Sequence, residues 1–207
     1  MAKSPDRRLD EAALDSDPGA LFARWFEEAR AHTAGEPEAV ALATATPDGA
    51  PSARMVLNKG FDERGFLFFT NYESRKADEL EANPHAALLF HWPELGRQVR
   101  IEGPVERVSR EETEAYVRSR SRESRLSALA SPQSRRVESR EWLEQRVAAL
   151  DREHPGEELP VSEDWGGYRL EPAAWEFWQH RPNRLHDRFR YLPGAPTGGW
   201  RIERLGP

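Results

Sequence analysis

A close succession of short runs with strand character, separated by tight turns, limits this chain more than any other feature. Residues 40–46 and 52–58 flank Pro47-Asp48-Gly49, and Asp-Gly between two such runs signals a hairpin because glycine supplies the positive φ that a tight turn needs. A second turn, Asp62-Glu63-Arg64-Gly65, leads into the apolar run 66–70, and residues 85–91, 98–108, 167–170, 175–179, 189–192 and 200–205 continue the pattern. Strands that follow one another through tight turns pair antiparallel. Helical stretches interrupt them. Asp17-Pro18 reads as a cap and first-turn proline ahead of the stripe Leu21, Phe22, Trp25, Phe26 and Ala29, ending near Gly35. Ser74 is placed to cap a short helix to about Asn83. Ser109-Arg110-Glu111-Glu112 forms a capping box for a helix to about Ser119. Residues 139–153 carry Trp142, Leu143, Val147 and Leu150 on one face. The expected fold class is α+β: an antiparallel, barrel-like sheet with flanking helices over residues 17–207, behind a polar, mobile arm at 1–16.

A chain of 207 residues with seven Trp, nine Phe and four Tyr has the material for a sizeable core. Its hydrophobic fraction of 38% against 32% charged residues makes burial within one chain modest, so a partner subunit is expected. The net charge of -6 argues against a general nucleic-acid or anionic-membrane binder. The absence of cysteine removes disulfides, thiolate catalysis and Cys-based metal sites, and fits a reducing, cytoplasmic location. Neither a membrane-span-length apolar run nor the apolar core of a signal peptide is visible.

Against that acidic background the basic residues are clustered. Residues 181–190 hold Arg181, Arg184, Arg188 and Arg190 with His186, directly after an aromatic strand that puts Trp175, Phe177 and Gln179 on one side and Glu176, Trp178 and His180 on the other. Arginines beside tryptophans can be packing and solubility alone. Two further clusters favour an anion and planar-ring site: Arg54 at a strand, and Arg75 with Lys76 in a helix first turn, where the dipole disfavours cations unless they face an anion together with the helix amides. The Ser/Arg-rich stretch 118–136 reads either as a linker or as a phosphate-contacting loop. Neither G-x-G-x-x-G, a phosphate-binding P-loop nor a G-x-S-x-G elbow occurs, and the six histidines show no metal-ligand spacing.

The order and spacing of several motifs resemble the pyridoxamine 5'-phosphate oxidase family, FMN enzymes of vitamin B6 metabolism with a split-barrel fold. The motifs are Arg54-Met55-Val56-Leu57-Asn58-Lys59-Gly60, Phe69-Thr70-Asn71 with Ser74-Arg75-Lys76, Arg97-Gln98-Val99, Ser131-Pro132-Gln133-Ser134, Trp165-Gly166-Gly167, Glu176-Phe177-Trp178-Gln179 and Arg184-Leu185-His186-Asp187-Arg188. The resemblance implies an antiparallel split β-barrel and a homodimer with FMN at its interface. It places Arg54, Arg75 and Lys76 on the FMN phosphate, and Met55, Val56, Leu57, Asn58, Lys59, Phe69, Thr70, Gln98, Gln133, Ser134, Trp178 and Arg188 around the rest of the cofactor. Lys59, Tyr116, Arg120 and Ser124 fall on the phosphate of pyridoxamine or pyridoxine 5'-phosphate, with Arg184 and His186 as catalytic residues beside its ring. Arg188 is the candidate for stabilising charge on the reduced flavin. Tyr116 and Arg120, spaced i, i+4, are expected on one helix face, and alternation along an extended segment is expected to turn Arg184 and His186 the same way.

The sequence departs from the family pattern at Asn58, at Ser121, over residues 125–129 and at His180, which stands at a usual glycine position. Counting back from Asp17-Pro18 puts Ser4 and Met1 where an Arg-x-x-Tyr lid is usual, so no substrate contact is assigned to the arm. Competing readings are a sister flavin oxidase of phenazine biosynthesis, a non-catalytic split barrel that carries FMN, haem or pyridoxal phosphate, and, least supported by the charge balance, an RNA binder.

Overall fold

The computed structural model describes residues 8–194 and 198–207. Ten strands form one curled antiparallel sheet: β1 (Ala39–Ala45), β2 (Pro51–Leu57), β3 (Gly60–Asp62), β4 (Gly65–Asn71), β5 (His85–Trp92), β6 (Arg97–Arg107), β7 (Trp165–Leu170), β8 (Ala174–Gln179), β9 (Asp187–Pro193) and β10 (Trp200–Arg204). The main path runs β10-β9-β8-β6-β5-β1-β2, while β3, β4 and β7 branch from the far end of β6. The length of β6 makes this possible: its first residues pair with β8 and its last three with β7. At the crossover the Glu171–Ala173 backbone lies so close that a Cβ on Gly103 would sit 1.8 Å from the Glu171 carbonyl oxygen. Only glycine lets the sheet fold over there, the bend read from Gly103-Pro104.

The concave face is filled by alternate residues. Val40 and Leu42, Phe66 and Phe68, Leu88 and Phe90, Val99 and Ile101, Trp175 and Phe177, and Phe189 and Tyr191 are all buried, the inward half of a period-two pattern. Helix α1 (Pro18–His32) closes this face, capped by Asp17, whose carboxylate accepts from the Gly19 and Ala20 amides. Its Phe22 ring lies 4.9 Å from Phe66, 5.1 Å from Phe90 and 5.9 Å from Trp175, tilted or edge-on in each case. Arg97 is buried beneath α1, stacked 4.2 Å from the Trp25 ring centroid and paired with Glu28.

Four more helices are α2 (Arg75–Ala82), α3 (Arg110–Ser119), α4 (Arg122–Ala130) and α5 (Arg140–Glu153). The capping box at Ser109 and Glu112 is present. Two expectations about these elements need correction. The Ser/Arg-rich stretch is neither linker nor loop at its centre but α4, capped by Ser121 and anchored by Leu126 and Ala130, whose i, i+4 spacing puts both on one face. Strand β3 lies in a stretch left unassigned from the sequence, its last residue being the first of the expected turn. Helix α5 forms as expected, with Trp142, Leu143, Val147 and Leu150 half-buried on one face and none of its residues fully buried. Finally, part of the stretch expected to form a mobile arm is packed: Leu9 is buried and its amide donates to Asp187 at 3.2 Å. Residues 1–7, including Met1 and Ser4, lie outside the described residues. No helix among the described residues is long and apolar enough to cross a membrane.

Candidate functional site

Where β2, β4 and the start of α2 meet, a cleft of about 280 Å³ is lined by Arg54, Met55, Val56, Leu57, Lys59, Phe69, Thr70, Lys76, Tyr116, Arg120, Gln133 and Trp165. Eleven of these twelve are residues that the resemblance assigns to the site; Trp165, part of a matching motif but given no role there, is the addition. An adjoining cleft of about 360 Å³ shares Arg120, Gln133 and Trp165 and adds Ser124 with Asn71, Ser127 and Ser131. Larger hollows, about 540 Å³ beside α1 and about 690 Å³ between α4 and α5, gather less of this chemistry.

Lys76 is the most informative side chain in the cleft. It is buried, and its Nζ donates to Thr70 Oγ1 at 2.8 Å, Ser74 Oγ at 3.1 Å and Gln133 Oε1 at 2.7 Å. All three acceptors are neutral, and among the described residues no carboxylate pairs with this ammonium. Burial, reinforced by the nearby Arg54 charge, pushes its pKa down to about 8. Ser74 is the N-cap of α2 by position but makes no side-chain cap, correcting the sequence expectation: its hydroxyl is taken by Lys76. The start of α2 therefore has no side-chain cap: the Ala77 and Asp78 amides turn back to the Ser74 carbonyl, and those of Arg75 and Lys76 have no side-chain acceptor.

Arg54 and Arg75 are held by one buried carboxylate. Glu79 accepts from Ser52 Oγ at 2.6 Å, from Arg75 Nε at 2.9 Å, from Arg54 Nη2 at 3.3 Å and from Thr44 Oγ1. Burial alone would raise its pKa, but the four hydrogen bonds hold it at about 2. The register pairs Thr44 with Ser52 across β1 and β2, which puts both hydroxyls at the carboxylate. Arg75 reaches Glu79 from a largely exposed position and does not line the cleft.

Tyr116, Phe69 and Trp165 stand with nearly parallel rings: Phe69 and Tyr116 centroids are 3.7 Å apart, and Trp165 lies 6.1 Å from Tyr116. The Arg120 guanidinium lies 5.0 Å from the Trp165 ring and 6.0 Å from that of Tyr116. Tyr116 and Arg120 thus meet, though not as two residues of one helix, because α3 ends at Ser119 and Arg120 is its extended C-cap.

A second group stands apart from the cleft. Gln98 pairs with Trp178 across β6 and β8, and Trp178 with Arg188 across β8 and β9, giving one rung across three strands. Arg188 donates to buried Glu176 at 2.9 Å and to the Gly206 carbonyl at 2.7 Å. The His186 ring lies 4.6 Å from Trp178 and 5.2 Å from His180. Its Nδ1 accepts the Arg181 amide, so the proton sits on Nε2, and burial with the His180 and Arg184 charges keeps its pKa below the usual histidine value. Alternation does not orient Arg184 and His186 as expected: Asn183 and Arg184 take φ of 59° and 61° in a 3-10 turn, leaving Arg184 exposed. None of Gln98, Trp178, Arg184, His186 or Arg188 lines the cleft. Two other expected cofactor residues also lie outside it: Asn58 is buried on the α1 side, and Ser134 is exposed at φ 66°.

Residues 26–152 match the protein family described as pyridoxamine 5'-phosphate oxidase, and residues 165–207 match the pyridoxine 5'-phosphate oxidase C-terminal dimerisation region. The chain is 57% identical over 199 residues to the pyridoxine/pyridoxamine 5'-phosphate oxidase of Rubrobacter xylanophilus, covering 96% of this chain and 91% of that protein. It is 50% identical to the protein of the same name from Salinibacter ruber, with both chains covered completely. Among solved structures, PhzG from Burkholderia lata 383, in complex with tetrahydrophenazine-1-carboxylic acid, superposes with a TM-score of 0.90 at 35% identity, covering 99% of this chain and 100% of that one. The segment matching a dimerisation region contains Trp178 and Arg188 of the rung, while Gln98 lies in the part matched by the other family model.

Proposed function

The chain belongs to the pyridoxamine 5'-phosphate oxidase family, and from that premise we propose that it is an FMN-dependent oxidase converting pyridoxamine 5'-phosphate or pyridoxine 5'-phosphate to pyridoxal 5'-phosphate, with O2 reduced to H2O2. One observation carries the cofactor half of this reading. A buried ammonium with only neutral partners, beside a second cation and an uncapped helix N-terminus, is a site built for an anion that the chain itself does not supply. The donor set fits a phosphate monoester: Lys76 as a point charge, Arg54 as a second cation whose terminal nitrogens are held by Leu42, Thr44, Ser52 and Glu79, and the α2 amides. Met55, Val56, Leu57, Phe69 and Thr70 offer the mixed strand surface that a planar ring system needs.

The match of residues 165–207 to a dimerisation region, together with the position of Trp178 and Arg188 outside the cleft, supports a site finished by a second copy. In the proposed homodimer, the partner's rung supplies the other side of the flavin, with the guanidinium fixed by buried Glu176 as the group near which negative charge develops. The substrate phosphate is assigned to Lys59, Arg120 and Ser124, and the substrate ring to the neighbourhood of Arg184 and His186. His186, neutral and protonated on Nε2, is suited to donate one hydrogen bond to a ring substituent without adding charge. FMN, when bound, supplies a two-electron acceptor for the hydride leaving C4' and returns those electrons to O2, while water displaces ammonia from the amine substrate. The protein's part is to hold the phosphate ends and exclude water from the ring plane.

The test is aerobic turnover of pyridoxamine 5'-phosphate by the FMN-loaded protein. Pyridoxal 5'-phosphate and H2O2 in equal amounts support the proposal; yellow protein that yields neither product, with pyridoxine 5'-phosphate tried as well, removes it. The similarity to PhzG over nearly the whole chain favours one second reading, a sister oxidase acting on a reduced tricyclic carboxylate. Arg120 and Lys59, cations without carboxylate partners among the described residues, favour the phosphate substrate over it.

A further inference from the structure

Trp165 has no part in the reading above, yet it is shared by both adjoining clefts. Its position is prepared by the two glycines after it. A Cβ on Gly166 would lie 2.1 Å from the Tyr72 hydroxyl, and one on Gly167 would lie 2.7 Å from the Phe69 ring. Those rings therefore occupy the places that side chains would take on β7, and the strand presents the indole at its start. Opposite it in the register is Asn71, itself a residue of the second cleft.

Arg120 rests on that indole. Among the described residues its guanidinium has neither a carboxylate nor a hydrogen-bond acceptor; its recorded neighbours are the rings of Trp165 and Tyr116. The backbone gives little help, because Arg120 is the C-cap of α3, where the helix has ended. A long side chain in that position keeps most of its rotamer freedom unless something flat holds it. Stacking leaves all five N–H donors of the fork free for an incoming anion, which an ion pair would not.

We propose that Trp165 is a positioning residue: its indole holds the Arg120 guanidinium at the junction of the two clefts, and so sets the affinity for the phosphate of the substrate while leaving the chemical step alone. This rests on the proposed function for the identity of the anion. It extends that reading to a residue outside the flavin and substrate contacts.

The experiment uses FMN-loaded wild type, W165F, W165L and R120A. For W165L, KM for pyridoxamine 5'-phosphate rises about tenfold, the order expected for a partly desolvated cation–π contact, while kcat and FMN affinity stay within about twofold of wild type. W165F keeps a ring under the guanidinium and recovers most of the loss. The double variant W165L/R120A binds no more weakly than R120A alone, because without the guanidinium the indole has nothing to hold. A fall in kcat at unchanged KM overturns the proposal, as does an additive double variant. Binding of inorganic phosphate to the same holoproteins, followed by calorimetry, separates the two readings: if wild type turns over no B6 phosphate but W165L still loses phosphate affinity about tenfold, the substrate assignment fails and the role of Trp165 stands. If W165L loses FMN or melts early, W165F and R120A carry the comparison, and equal phosphate affinity in W165F, R120A and wild type overturns the proposal.

Discussion

At the scale of single residues, Lys76 ties cofactor binding to pH. Its pKa in the free protein is about 8, below the ordinary 10.5, so below pH 8 the fold carries a buried charge that it holds at a cost. That cost is relieved as pH rises from about 8 towards 10.5, because there the unfolded chain binds the proton and the folded chain does not. A bound phosphate reverses the preference and draws the proton back. FMN affinity is therefore predicted to be level from about pH 7 to 8 and then to weaken by up to about tenfold per pH unit, with K76M weak throughout and flat. Riboflavin, which lacks the phosphate, should show no such dependence; an FMN affinity level from pH 7 to 9.5 in wild type would falsify this account of Lys76. The residue types of the site were legible in the sequence, because clustered cations in an acidic chain need a reason. Their partners were not. Lys76 meets Gln133 across 57 positions, and nothing local announces the left-handed backbone at Arg184 that undoes the alternation argument.

Elements set how those residues are held. Glu79, on α2, ties that helix to β1 and β2 through Thr44, Ser52 and Arg54. Its folded pKa of about 2 lies below the ordinary 4.5, so its contribution to stability is complete above about pH 4.5 and is lost as pH falls towards 2. The contribution is about 3 kcal/mol, so E79Q should lower the melting temperature at pH 7 and flatten the loss of stability of the FMN-free protein between pH 5 and 3. Equal melting curves for E79Q and wild type at both ends of that range would contradict it. G103A should also destabilise, by about 1–3 kcal/mol or more, because the crossover backbone has no room to move away. Strands with clean alternation and helices with caps could be read directly from the sequence. Strand β3 could not, because three residues are too few for a period, and α4 hid because a Ser/Arg composition masks a helix held by just Leu126 and Ala130.

At the scale of the whole molecule, the two groups of site residues belong to different parts of the sheet. The anion cluster sits on β2, β4 and α2; the rung Gln98–Trp178–Arg188 crosses β6, β8 and β9. Met55, 64% exposed on the edge strand beside the cleft, is an apolar surface that a second copy would cover. The modest apolar fraction of the chain pointed to such a partner, but that Gln98, Trp178 and Arg188 share one rung could not be read before the register of β8 on β6 and β9 was known. The central claim is that two copies assemble one complete flavin site, each giving a different half. It is tested by co-refolding two variants that are inactive alone, K76M and R188A, with FMN and pyridoxamine 5'-phosphate. Random pairing makes half of the dimers mixed, each with one intact and one doubly altered site, so pyridoxal 5'-phosphate formation should return to about a quarter of the wild-type rate. No recovery, with mixed dimers present by mass, would mean that each chain holds its own whole site.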